Sequence, residues 1–117
     1  MLSEVEARSE SKGGKNMKNP FNEYIDQSVK LDKQFKRRWD INTRMVNLSE
    51  EIGELAHDVL VAEKSKNDKP HAPLADNLTN LLYELFLIAD HYKIDLDKSW
   101  REFIKNMPGW AKMRNKN

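Results

Sequence analysis

Cysteine is absent from the chain. That excludes disulfides and thiolate metal centres, and it fits a reducing compartment. Long apolar runs are missing too. The longest, Leu85–Ala89, falls far short of the roughly 20 residues that cross a bilayer as a helix, and the N-terminal residues hold no apolar signal core. Neither sign of charge dominates: charged residues make up 33% of the 117, yet the net charge is +1. No global field therefore favours nucleic acid or an anionic membrane. Glycine is scarce, with 4 residues, and none of them forms the Gly-rich phosphate loop of a P-loop enzyme. What remains is one modest domain, expected to be cytoplasmic, with no membrane partner and nucleic acid disfavoured.

Residues 1–19 are rich in Ser, Gly, Lys and Glu and have little to bury, so they read as a disordered arm. Met1 and Met17 are both candidate starts. A single helical domain is expected over residues 20–107, followed by a basic tail over residues 108–117.

Every patterned segment has helical periodicity, and no strand pattern competes. Pro20 suits the first turn of a helix, and Phe21, Tyr24, Ile25, Val29, Leu31 and Phe35 give that segment a loose apolar stripe. A basic cluster of Lys33, Lys36, Arg37 and Arg38 ends it, with a break expected near residues 40–43. The second helix has a cleaner seam: Ile41, Met45, Leu48, Ile52, Leu55, Val59 and Ala62 alternate steps of four and three, as helix packing requires. Pro70 and Pro73 forbid its continuation. A third helix is expected from about Pro73 to Tyr92, with Leu74, Leu78, Leu81, Leu85, Ile88 and Tyr92 as its seam. Asp95 is a good N-cap for a fourth helix, which Pro108-Gly109 is expected to end. The fold class is all-α, a bundle of three or four helices.

Chemistry concentrates in the run LSEEIGELA, Leu48–Ala56. Glu51 and Glu54 stand one helical turn apart, roughly 5–6 Å between Cβ atoms, and like charges that close gain nothing unless a cation or water satisfies both. Hard divalent ions take such oxygen ligands. A polar stripe of Asn47, Glu51, Glu54 and Asp58 precedes each seam position of the second helix, and Asn77, Asn80 and Glu84 do the same on the third. Antiparallel packing through the seams would set both stripes along one groove, where Mg²⁺ and a phosphate-bearing ligand could sit. Ordinary solvated helix flanks would look the same.

LSEEIGELA, the Pro-containing linker and NLTNLLYELFLIADHYKIDLDKSW, Asn77–Trp100, together resemble the MazG-like all-α nucleoside triphosphate pyrophosphohydrolases, over about Trp39–Ile104. In that family the second helix carries a Glu-Glu-x-Gly-Glu-Leu run, matched by Glu50, Glu51, Ile52, Gly53, Glu54 and Leu55. The next helix carries Glu-x-x-Asp, then Ala-Asp and a Gly-Ile-Asp-Leu-like link. Ala89-Asp90 and Ile94-Asp95-Leu96 match that ending, which sets the Glu-x-x-Asp on Asn77 and Asn80. Both carboxylates have become amides.

The resemblance implies a four-helix bundle forming a homodimer or dimer of dimers. It also implies Mg²⁺-dependent hydrolysis, with Mn²⁺ as a substitute ion, of a nucleoside triphosphate to monophosphate and pyrophosphate. Carried over by position, Glu51 and Glu54 are metal ligands and Asn77 and Asn80 weakened ones. Glu84, a turn beyond Asn80, is placed to return a carboxylate to the site, and Glu50 is the candidate for orienting water. Because of the two amides, the alternative is a catalytically impaired relative, a helical dimer that binds nucleotide or a protein partner.

Trp39 can stack on a base, and Arg38 and Arg114 can meet a triphosphate; packing and solvated basic faces are the bland accounts of the same residues. His57, His71 and His91 share no close helical spacing, so no zinc site is expected.

Overall fold

The computed structural model describes residues 18–116. Among them the fold is all-α, with no strand, in four helices: α1 (Pro20–Asp32), α2 (Ile41–Ala62), α3 (Leu74–His91) and α4 (Leu96–Arg114). The arm reading falls almost wholly on residues 1–17, which lie outside the described residues. The chain divides into two compact units. One joins residues 18–24 to residues 95–116, and the other comprises residues 25–94.

In the smaller unit, α1 begins at Pro20, and its first orphan amides are capped by another helix. Asp97, buried on α4, accepts from the Phe21 amide at 3.0 Å and the Asn22 amide at 2.7 Å. A carboxylate there satisfies free donors and meets the positive end of the helix dipole. Asp95 caps α4 as expected, accepting from the Lys98 amide at 3.1 Å and also from Asn22 Nδ2 at 3.1 Å. Phe21, Trp100, Phe103 and Trp110 follow one another as a row of ring contacts.

The helix does not stop at Pro108-Gly109; it runs on to Arg114. Proline removes one ladder donor and crowds the turn before it, and the Phe103–Trp110 contact, centroids 5.7 Å apart, spans that point.

The larger unit is built on α2 and α3 packed antiparallel. The side chains Asp58 and Asn77 meet near one end and Arg44 and Glu84 toward the other. Asp40 starts α2 by accepting from the Thr43 amide at 2.8 Å. Both α2 and α3 finish in a Schellman motif. Lys64 (φ 61°) and Lys93 (φ 55°) occupy the left-handed position, and Ser65 N–H to Leu60 O (2.8 Å) and Ile94 N–H to Ala89 O (2.9 Å) close the turns. Glycine ordinarily fills that position.

The face buried between α2 and α3 takes only part of the apolar seam: Leu48, Leu55, Leu81 and Ile88 are buried or half-buried. Met45, Ile52 and Val59 are exposed on α2, as are Leu78 and Leu85 on α3. Facing inward are Arg44, Leu48, Glu51, Leu55 and Asp58 against Asn77, Leu81, Glu84 and Ile88, all buried or half-buried. This set has the same four-and-three spacing as the seam, so periodicity could not choose between them. Paired polar groups decided it: Arg44 to Glu84 and Asp58 to Asn77 are contacts that only this rotation of the helices makes. The apolar residues Ile25, Leu48, Phe86, Leu87 and Ala89 complete the buried set.

Candidate functional site

Three polar groupings lie within the larger unit. The first is the glutamate stripe of α2. Glu51 is half-buried, and its Oε2 is buried without a hydrogen-bond partner. Burial pushes its carboxyl above the ordinary range; the Asn47 amide opposes this, and the charges of Glu84 and Glu54 add to it. An anion that is desolvated and flanked by two more anions is a site short of positive charge. Glu50 and Glu54 are exposed.

The second grouping surrounds Arg44. Arg44, a residue 6% exposed, donates from Nη1 to Glu84 Oε1 at 2.8 Å and from Nη2 to Asp32 Oδ1 at 3.3 Å. Arg38 holds the other Asp32 oxygen, Nε to Oδ2 at 2.6 Å. The Arg44 guanidinium also lies 5.7 Å from the Trp39 ring centroid, within cation–π range.

Beside this network is a cavity of about 240 Å³ lined by Asp32, Phe35, Arg37, Trp39, Arg44, Tyr83 and Glu84. Three aromatic rings and four charged groups thus face one space. The Tyr83 hydroxyl is buried with no hydrogen-bond partner, and burial, with Asp32 nearby, pushes it above the ordinary phenol range.

The third grouping centres on Asp58, 1% exposed near the end of α2. Its Oδ1 accepts from the His71 amide at 2.8 Å and meets His57 Nδ1 at 2.8 Å and His71 Nδ1 at 3.1 Å. Its Oδ2 accepts from Asn77 Nδ2 at 2.8 Å and from the Ala72 amide at 3.2 Å. Burial alone would raise this carboxyl most, but the bonds from His57, the His71 amide, Asn77 and the His71 ring together hold it well below the usual range. His57 also meets Asp68 Oδ2 through Nε2 at 2.9 Å. Hydrogen bonds to Asp58 and then Asp68 hold the His57 ring above its ordinary value. In effect Asp58 fastens the α2–α3 connection to both helices.

The residues expected at the site are thus spread over more than one setting. The charges of Glu54 and Glu84 both act on Glu51, but Glu84 is already paired with Arg44. Asn77 turns its amide to Asp58, while Asn80 is exposed. Trp39 lines the cavity and Arg38 braces Asp32. Arg114 belongs to the smaller unit.

Asp32, Arg44 and Tyr83 did not stand out in the sequence. Asp32 and Arg44 are ordinary charged residues of helical segments, and only their long-range pairing marks them. Asp58 did carry a signal, as the last member of the polar stripe. Compared with known protein families, with curated proteins and with solved structures, the chain gives no match, so its reading rests on its own residues.

Proposed function

We propose that the chain is a Mg²⁺-dependent nucleotide pyrophosphohydrolase of the MazG-like type, acting in the cytoplasm as a homo-oligomer on a nucleoside triphosphate. The observation that carries this is Glu51: its half-buried carboxylate has one buried, unpartnered oxygen and two anionic neighbours, Glu54 and Glu84. Such a group fits a divalent cation. Glu51 and Glu54 would hold Mg²⁺, and the exposed Asn80 of α3 could add a neutral oxygen. When bound, Mg²⁺ supplies charge neutralisation for the phosphates.

The chain's own residues account for the remaining needs. Phe35, Trp39 and Tyr83 offer ring surfaces for a base. At about 240 Å³ their cavity is smaller than the roughly 300–1,000 Å³ of pockets for whole drug-sized ligands, so it fits the base and leaves the phosphates outside. Arg37, on the cavity wall, provides a cation for them. The exposed Glu50 carboxylate is suited to orient a water. In the reaction, water gives a proton to the Glu50 carboxylate as its oxygen bonds to the α-phosphorus, the bond from that phosphorus to the α,β-bridging oxygen breaks, and pyrophosphate leaves with that oxygen. The exposed apolar residues Met45, Ile52 and Val59 of α2 and Leu78, Leu82 and Leu85 of α3 support a second copy covering this face.

A second reading, a nucleotide-binding module without chemistry, is favoured by one observation. Asn77 is spent on Asp58 and Glu84 on Arg44, so two carboxylates remain for the metal. Pyrophosphate release from a panel of triphosphates, with Mg²⁺, with Mn²⁺ and with neither, tests both. Metal-dependent release supports the hydrolase. Saturable nucleotide binding without release supports the module, and absence of both overturns the nucleotide reading.

A further inference from the structure

The Asp58 cluster brings two imidazoles and a carboxylate to one point. His57 comes from α2 and His71 from the connection, 14 positions later in the sequence, yet their rings meet edge to face with centroids 4.5 Å apart. Both Nδ1 atoms point at the same Asp58 oxygen, at 2.8 and 3.1 Å. Both nitrogens of His57 face carboxylates, Nδ1 toward Asp58 and Nε2 toward Asp68. A neutral imidazole carries a proton on one nitrogen only. Whichever nitrogen that is, the other presents a lone pair to a carboxylate oxygen, which is repulsive unless a proton or a metal ion lies between them.

We propose that His57, Asp58 and His71 form a binding site for a divalent transition-metal ion of the Zn²⁺ class, through His57 Nδ1, His71 Nδ1 and Asp58 Oδ1. These atoms all lie within 4.8 Å of one another. A tetrahedral ion with bonds of about 2.0–2.1 Å separates its ligands by roughly 3.3 Å, so small side-chain adjustments from 2.8 and 3.1 Å admit it. Asp68 completes the design. By accepting from Nε2–H it fixes the tautomer that leaves Nδ1 free to ligate, the carboxylate–histidine–metal relation of many zinc sites. Two imidazoles and one carboxylate select Zn²⁺, Co²⁺ or Ni²⁺ over Mg²⁺ or Ca²⁺, which prefer oxygen.

The His71 side chain is half exposed, so an ion has a way in from solvent and a water can take the fourth position. The ion would tie the end of α2, already joined to α3 by the Asp58–Asn77 bond, to the 63–73 connection. Nothing in this assignment depends on the nucleotide reading, since it uses neither Glu51 nor Glu54.

Titrating the tag-free, full-length chain with Co²⁺ alone tests the site. Cysteine is absent and there are 3 histidines in all, so the assignment of ligands is clean. The expected result is the intense visible absorption of four- or five-coordinate Co²⁺, saturating at one ion per chain and abolished by Zn²⁺, with a rise in melting temperature when Zn²⁺ is added. His71→Ala, at a half-exposed position, is expected to fold by circular dichroism and to lose the spectrum, and His57→Ala likewise where it folds. His91→Ala and Glu51→Gln should retain it, and Asp68→Asn should weaken affinity by about 10–100-fold. Absence of a saturating spectrum overturns the proposal. So does a spectrum that survives His71→Ala, or one that His91→Ala removes.

Discussion

Replacing Arg44 by methionine would remove the one cation that Glu84 contacts in the described structure. Asp32 keeps Arg38 at 2.6 Å, but Glu84, with its side chain 7% exposed, would be left as a buried, uncompensated carboxylate. Breaking a buried ion pair on one side costs about 3–5 kcal/mol, far more than the pair itself is worth. For a domain of this size, each kcal/mol moves the melting temperature by roughly 4–8 °C, so a loss of at least about 12 °C is expected. Urea denaturation followed by far-ultraviolet circular dichroism would measure it, with an unchanged m-value confirming that the native state has kept its compactness. The companion triple variant Arg44→Met, Asp32→Leu, Glu84→Leu should recover most of the loss, since apolar replacement of buried ion networks is often neutral or stabilising. An Arg44→Met chain within about 1 kcal/mol of the parent would refute the reasoning, because Glu84 would then be hydrated and not dependent on Arg44.

Lys93→Gly should stabilise the chain by about 0.5–1 kcal/mol, because Lys93 holds a left-handed conformation that an L side chain adopts at a penalty; the Lys93–Asp90 pair it gives up, 3.6 Å and exposed, is worth little. Thermal melting would check this, and a loss of stability would contradict it. Asp95 is held below its ordinary value by the Lys98 amide and then by Asn22. Its contribution is therefore present at neutral pH and lost as the pH falls through the carboxylate range. Asp95→Ala should flatten the acid limb of the stability–pH curve, and an unchanged limb would refute that role. Asn77→Glu should destabilise the chain, since it replaces the amide donor to Asp58 with a second carboxylate. Asn80→Asp, at an exposed position, should be tolerated; equal melting temperatures for these two variants would contradict the placement of Asn77.

The helices were legible because their signals are local. Asp40 and Asp95 were readable as caps, Pro20 as an opening, and Pro70 and Pro73 as a barrier. Two features escaped the same logic. Pro108 looked like a stop, but a helix survives one missing donor when neighbouring turns and ring contacts such as Phe103–Trp110 hold it. The inner face of α2 was misread because two stripes share one period. Charge pairing across 40 residues of sequence, Arg44 to Glu84, chose the polar one, and no window of sequence contains both partners. For the same reason His57 and His71 showed no metal-ligand spacing: a folded connection, not a helical repeat, brings them together. The glutamate stripe was readable in composition and position, whereas the burial of one Glu51 oxygen required the packed structure.

Under the proposed function, Glu51 is the chain's acceptor for a hard divalent cation. Electron paramagnetic resonance of Mn²⁺, standing in for Mg²⁺ and titrated into the full chain with a nucleoside triphosphate present, measures it directly. A stoichiometric protein-bound Mn²⁺ signal is expected, one that Glu51→Gln abolishes and His71→Ala leaves in place. A Glu51→Gln chain that binds Mn²⁺ as the parent does would contradict it.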